Sequence, residues 1–261
     1  MHQPFTSDNF YHMVGWGILH NDSISTDQKN EACYQQLKQI ISFGYIAGRG
    51  VDGNFHPTEG NVEISINTDG HLLNGDFDGF LVKGAITCFA DIPWDSLGLH
   101  AGKYGLFGFG VSSAHLAKAG ARPVIYVPYD TGVVEPGYRG QGLLRNITNE
   151  AVKLYKVVND YEDANNPEDE DGNIYVEKHH EWSSLNAILL RDVAAYIKPY
   201  NRNLDIKHPE CYYTEREWRL LGNVRIIPSQ VPVIVVAKGY KERLLQEVQF
   251  DSKFEVKELG E

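Results

Sequence analysis

The order of strand-like and helix-like segments most limits the fold of this chain. Short apolar runs bounded by glycine and proline alternate irregularly with amphipathic stretches. The regular β-α-β beat of a doubly wound parallel sheet is absent. Ala85 to Phe89 reads as a buried strand ending at Asp91-Ile92-Pro93, Leu106 to Val111 as a second and Pro123 to Val127 as a third. Tyr212 to Leu221 alternates like a strand, and Val231 to Ala237 is strongly apolar. Helical spacing marks Asp27 to Phe43 with Gly44 as its stop, Ala114 to Ala119 after Ser112-Ser113, Gly142 to Val158, Ser183 to Ile197, and Lys241 to Val248. These elements predict an α+β fold with a split, mostly antiparallel sheet and flanking helices. One domain over 1–261, with insertions at about 49–84 and 160–173, accommodates them all.

Bulk properties remove several functional classes. No apolar run reaches the roughly 20 residues of a membrane-spanning helix, so no membrane partner is expected. Residues Met1 to Asn9 lack a signal-peptide pattern. Cys33, Cys88 and Cys211 are far apart in sequence, which suits reduced thiols in a cytoplasm rather than a disulfide framework. The net charge of −11 argues against coating nucleic acid by bulk charge. Much of that excess sits in the acidic stretch 160–171, so Arg139, Arg145, Lys153 and Lys156 could still form a local basic patch.

Common catalytic and metal motifs are missing. There is no P-loop, and Gly137-Tyr138-Arg139-Gly140-Gln141-Gly142 reads as a turn, without a dinucleotide strand leading into it. The spacing of His179-His180 and of His208 with Cys211 does not complete a metal site. No Gly-x-Ser-x-Gly elbow supports a serine hydrolase.

Three segments could carry chemistry. In Tyr213 to Arg219, a strand would put Glu215 and Glu217 on one face, where two carboxylates repel and one is held protonated unless a cation is near. Such a pair can stabilise an oxocarbenium-like centre or take a proton; equally, it can be an edge strand with Arg219 neutralising Glu217. In Lys103 to Ser113, glycines among aromatics leave room for a planar ligand or for another backbone. Phe107 and Phe109 would then share one face, with Gly108 and Gly110 on the other. Near the start, Phe10-Tyr11-His12 offers a histidine that is either structural or functional.

Taken in order, Tyr11-His12, Leu37-x-x-Ile40-Ile41-x-x-Gly44, Cys88-Phe89-Ala90-Asp91-Ile92-Pro93, His100 with Tyr104-Gly105-x-x-Gly108-Phe109-Gly110, Pro123-Val124-Ile125-Tyr126, Ile197-Lys198-Pro199-Tyr200 and Glu215-Arg216-Glu217-Trp218-Arg219 resemble the abortive-infection AbiGi family of phage-defence proteins. Where that family tends to follow its first histidine with an aromatic residue and a threonine, this chain has Met13-Val14. The order is also similar to the ADP-ribosyltransferase fold. That likeness implies NAD as cofactor and substrate, with Glu217 as the catalytic carboxylate and Glu215 assisting the acceptor. It gives cofactor contacts to His12, Tyr104, Phe109, Ser112 and Ser113, and implies a protein or nucleic-acid acceptor. The main expectation is an NAD-dependent ADP-ribosyltransferase toxin of anti-phage defence. The alternative is a non-catalytic antitoxin or regulatory component that binds a cognate partner.

Overall fold

A computed structural model describes residues 7–47, 64–66, 82–84, 86–128, 193–200, 204–205, 208, 211, 215–249 and 253–260. The chain opens with β1 (Asn9–Val14), α1 (Trp16–Leu19), α2 (Thr26–Phe43), β2 (Tyr45–Ala47), β3 (Ile64–Ile66), β4 (Val82–Gly84) and β5 (Ile86–Ala90). It continues through α3 (Leu97–Tyr104), β6 (Phe107–Ser112), α4 (Ser113–Lys118), β7 (Arg122–Pro123), β8 (Ile125–Pro128) and β9 (Ile197–Tyr200). Then come β10 (Glu217–Leu221), β11 (Asn223–Arg225), β12 (Val233–Ala237), α5 (Lys241–Glu247) and β13 (Glu255–Leu259).

Seven strands form one sheet in the order β13-β12-β6-β1-β5-β10-β7, and three two-stranded ribbons, β11-β2, β3-β4 and β8-β9, stand apart from it. Every neighbour pair of the large sheet is antiparallel except β12 with β13, whose parallel pairing follows from the crossover through α5. The mixed α+β, mostly antiparallel architecture is therefore the one the sequence predicts. Its division is a seam. Strand β1 pairs with β6 over its whole length, Asn9↔Ser112 to Val14↔Phe107, but meets β5 at Tyr11↔Ala90 alone.

Local chemistry fixes the helix that covers one face. Ser25 and Gln28 close a capping box at the start of α2: the Ser25 hydroxyl accepts from the Gln28 amide, and the Gln28 side chain accepts from the Ser25 amide at 2.8 Å. At the other end Gly44 takes φ 84°, the left-handed conformation that costs glycine least. Cys33, Tyr34 and Leu37 recur at helical spacing and press into the sheet.

Cross-strand partners share a face, and the register sorts the sheet into two sides. Val233, Gly110, Tyr11, Ala90 and Glu217 form one row across five strands. That side also carries Met13 and Val235 and is covered by Leu97 and Ala101 of α3. The opposite side carries Ile234, Phe109 and Phe89, under Tyr34 and Leu37 of α2 and Leu244 of α5. The glycines of β6 explain themselves here. A Cβ on Gly108 would stand 2.5 Å from the His12 carbonyl oxygen, and one on Gly110 would stand 3.1 Å from the Tyr11 ring. The space that could have taken a planar ligand is used by strand β1.

Several boundaries differ from expectation. The stretch expected to end a helix at Ile197 is a 3-10 turn at Ala194–Tyr196 followed by β9, because residues 197–200 pair in parallel with β8. Of the strand expected over Tyr212 to Leu221, the described part is β10, Glu217–Leu221, which follows a left-handed residue, Arg216 at φ 43°. Within the first expected insertion, β3 and β4 pair antiparallel. The expected helix at Gly142 to Val158, the stretch 160–173 and the basic residues Arg139, Arg145, Lys153 and Lys156 lie outside the described residues. No described helix is long and apolar enough to cross a membrane.

Candidate functional site

A buried ionic cluster lies on the α3 side of the sheet, at the start of β10. Its anchor is Glu217, only 4% exposed. One carboxylate oxygen accepts from Arg219 Nε at 2.8 Å, and the other accepts from the Lys198 ammonium. The Glu217 amide donates to the Tyr126 hydroxyl at 2.9 Å. Parallel pairing of β8 with β9 sets Tyr126 beside Lys198, so one ribbon delivers both. Arg219 spends a second donor on the Ala195 carbonyl oxygen at 2.6 Å. Burial alone would raise the Glu217 carboxyl, but Arg219 and Lys198 outweigh it and hold the group at about 2.

Glu215 is buried beside Glu217 but held differently. The Tyr104 hydroxyl donates to it at 2.5 Å, and the shared Lys198 ammonium stands 3.5 Å away. Burial pushes its carboxyl above the ordinary carboxylate range, against the opposing pull of Lys198 and Tyr104. The two glutamates do not meet through strand alternation. Arg216 breaks the strand between them in a conformation that costs a non-glycine residue energy. Its guanidinium secures the kink: Nε donates to the Asp91 carbonyl oxygen at 2.8 Å, and Nη2 lies 3.0 Å from the Asp91 carboxylate.

Two further groups line the cluster. Burial, with Lys103 and Lys198 nearby, keeps the His100 imidazole neutral down to about 3, and its ring stacks 4.5 Å from Tyr104. Burial and then the Glu217 charge push the Cys88 thiol up to about 12, so no thiolate forms there at neutral pH. Among the described residues no group of three or more His, Cys, Asp or Glu could hold a metal ion.

The seven residues expected to form an NAD cleft do not converge. Glu215, Glu217 and Tyr104 meet in the cluster. His12 and Phe109 lie on the opposite side of the sheet, because His12 pairs with Phe109 and the row containing Glu217 is one residue out of phase. His12 faces the seam, where its ring nitrogen Nδ1 donates to the Cys88 carbonyl oxygen at 2.9 Å. The bond thereby ties β1 to β5 beyond their one paired position. The surrounding protein lowers its pKa, opposed by that bond. Phe109 is fully buried in the core. Ser112 caps α4, accepting from the His115 amide at 3.4 Å, and Ser113 donates to the Asp8 carbonyl oxygen at 3.0 Å. Both serines sit at the end of β6, with β1 and β5 between them and β10. The residues carried over from the transferase likeness therefore do not build one NAD-binding surface.

Sequence reading missed Lys198, Tyr126 and His100 as members of the site. Each lies in a segment that carries the family resemblance, and that was the available signal. Arg219 is the neutralising partner that the simpler reading of the strand had named.

A family model described as "Putative abortive phage resistance protein AbiGi, antitoxin" matches residues 78–257. No curated protein and no solved structure matches the chain. The description overturns the expectation of an ADP-ribosyltransferase toxin: the matching family is an antitoxin family. The likeness to the transferase fold rests on order of elements alone.

Proposed function

The chain belongs to the AbiGi family of abortive phage-resistance antitoxins, and from that premise we propose that it acts by binding and restraining a cognate toxin. The family assignment carries the reading. The state of Glu217 supports it: both carboxylate oxygens are occupied by cations of the same chain, so the cluster acts as an internal tie. It joins the β8-β9 ribbon and the 3-10 turn before β9 to β10 of the large sheet. A buried ion network of this kind adds little net stability against an apolar substitute, but it penalises alternative arrangements of the groups it joins. A protein that must present one fixed surface to a partner has use for such a tie.

Expression decides the matter. The chain alone should leave bacterial growth unchanged, and co-expression with the toxin of its own locus should restore growth that the toxin arrests. Arrest by the chain alone, relieved by Glu217→Gln, is the result that defeats this reading.

A further inference from the structure

Resting on the antitoxin reading, we propose that the surface built by α1 and α3, centred on Trp16 and Leu99, docks a basic protein surface of the toxin that projects an apolar side chain. Leu99 points away from the sheet and is 76% exposed, and Trp16 is 40% exposed. Exposed apolar side chains grouped on one surface mark interaction sites, and tryptophan is prominent among the anchors of protein interfaces.

The backbone around them is open: among the described residues nothing lies within 4 Å of where a Cβ would stand on Gly17, Gly98 or Gly102. Gly98 and Gly102 are one turn apart on α3, so a partner can approach that face closely. The tryptophan is also held in place. Trp16 is stacked between His20 at 4.1 Å and Tyr104 at 5.1 Å, and Tyr104 is tied to Glu215 of the ionic cluster. Little side-chain freedom remains to be lost on binding.

Charge selects the partner. Asp95 is exposed one turn before Leu99, and Asp22 is exposed on the turn from α1 into α2. Neither forms an ion pair among the described residues. The lysines of the same elements are drawn back onto the fold: Lys29 donates to the Leu19 carbonyl oxygen at 2.7 Å and Lys103 to the Cys211 carbonyl oxygen at 2.8 Å. An apolar centre with unpaired carboxylates at its rim, on a chain of net charge −11, complements a basic partner and repels an acidic one.

The test uses the full chain and, as probe, the protein encoded beside it, by calorimetric titration and by growth rescue on co-expression. Leu99→Arg replaces an exposed side chain and should leave the melting temperature unchanged while weakening binding about tenfold or more. Asp22→Lys with Asp95→Lys should weaken binding and flatten its salt dependence. Trp16→Ala should abolish rescue, with circular dichroism confirming the fold. Binding by Leu99→Arg and by the charge reversal within about twofold of the parent overturns the surface and leaves the antitoxin reading standing. A parent chain that neither binds nor rescues overturns both.

Discussion

The two sides of the central sheet are built from alternate residues of the same strands, yet they are held by different physics. Under α2 and α5, Phe109, Phe89, Leu220 and Ile234 interlock with Tyr34, Leu37 and Leu244 in a continuous apolar core. Under α3 a smaller apolar group, Tyr11, Met13, Val233 and Val235, gives way toward β10 to the cluster of Glu217, Arg219, Lys198 and Glu215. Apolar packing is graded, because each lost methylene costs its own share. An ion network is not graded, because removing one member strands the charge it neutralised. The apolar side thus supplies stability, and the polar side makes the placement of one ribbon depend on Glu217, Arg219 and Lys198 being present together.

The largest expected effect is on the apolar side. Phe109→Ala should cost about 4 kcal/mol in urea unfolding, within the usual range for a buried phenylalanine, and the loss should be the same at pH 5 and pH 8. A loss that changed strongly with pH would merge the two sides into one and break the comparison. Glu217→Gln comes next, at about 3 kcal/mol at neutral pH, since Arg219 stays buried without a counter-charge and Lys198 keeps only the more distant Glu215. Its signature is pH dependence. The folded carboxyl lies at about 2, below its ordinary value. The contribution is therefore complete above the ordinary carboxylate range and lost as pH falls toward 2. The gap in melting temperature between Glu217→Gln and the parent should close on acidification over that window.

His12 sharpens the boundary between the sides. It belongs by register to the apolar side but spends its ring on the seam, bonded to the Cys88 carbonyl oxygen. His12→Phe keeps the ring and removes that bond, for a cost of about 1–2 kcal/mol. The native imidazole is held below its ordinary pKa, so the parent loses stability as pH drops below the usual imidazole range. The variant should lose less there, and a melting-temperature profile from pH 8 to pH 5 reads the difference. Parallel profiles would show that His12 has no such role.

How far the sequence made this legible follows the range of the interactions. Helix α2, with its alternation of apolar and polar turns and its glycine stop, is local in origin and was readable to within a residue. Strands β5, β6 and β12 were readable for the same reason. Helix α3 was not, because Leu-Gly-Leu-His-Ala-Gly-Lys-Tyr has two glycines and a poor helix propensity; burial of Leu97, His100 and Ala101 against the sheet overrides it. Strand β13 is mostly charged and exists through its parallel pairing with β12. At the site, the pairing of Glu215 with Glu217 and the answer of Arg219 were visible in one short segment. The side on which His12 and Phe109 face was not, because a sheet register set far away in sequence decides it, and one residue of slip exchanges the faces. Lys198 and Tyr126 were hidden similarly, joined only by the parallel ribbon β8-β9.

The smallest effect separates the two glutamates from each other. Glu215→Gln keeps an acceptor for the Tyr104 hydroxyl and leaves Lys198 to Glu217, so no charge is stranded. Burial already pushes the Glu215 carboxyl above the ordinary range, which means the ionised form is disfavoured in the fold. The sign is opposite to that of Glu217: the parent gains stability as pH falls through the raised value toward the ordinary one, and the glutamine variant does not. At pH 8 the variant should lie within about 1 kcal/mol of the parent, and the parent should gain on it as the buffer is made more acidic. A loss of about 3 kcal/mol at neutral pH would instead make Glu215 an equal member of the ion network, with Lys198 shared evenly between two carboxylates rather than committed to one.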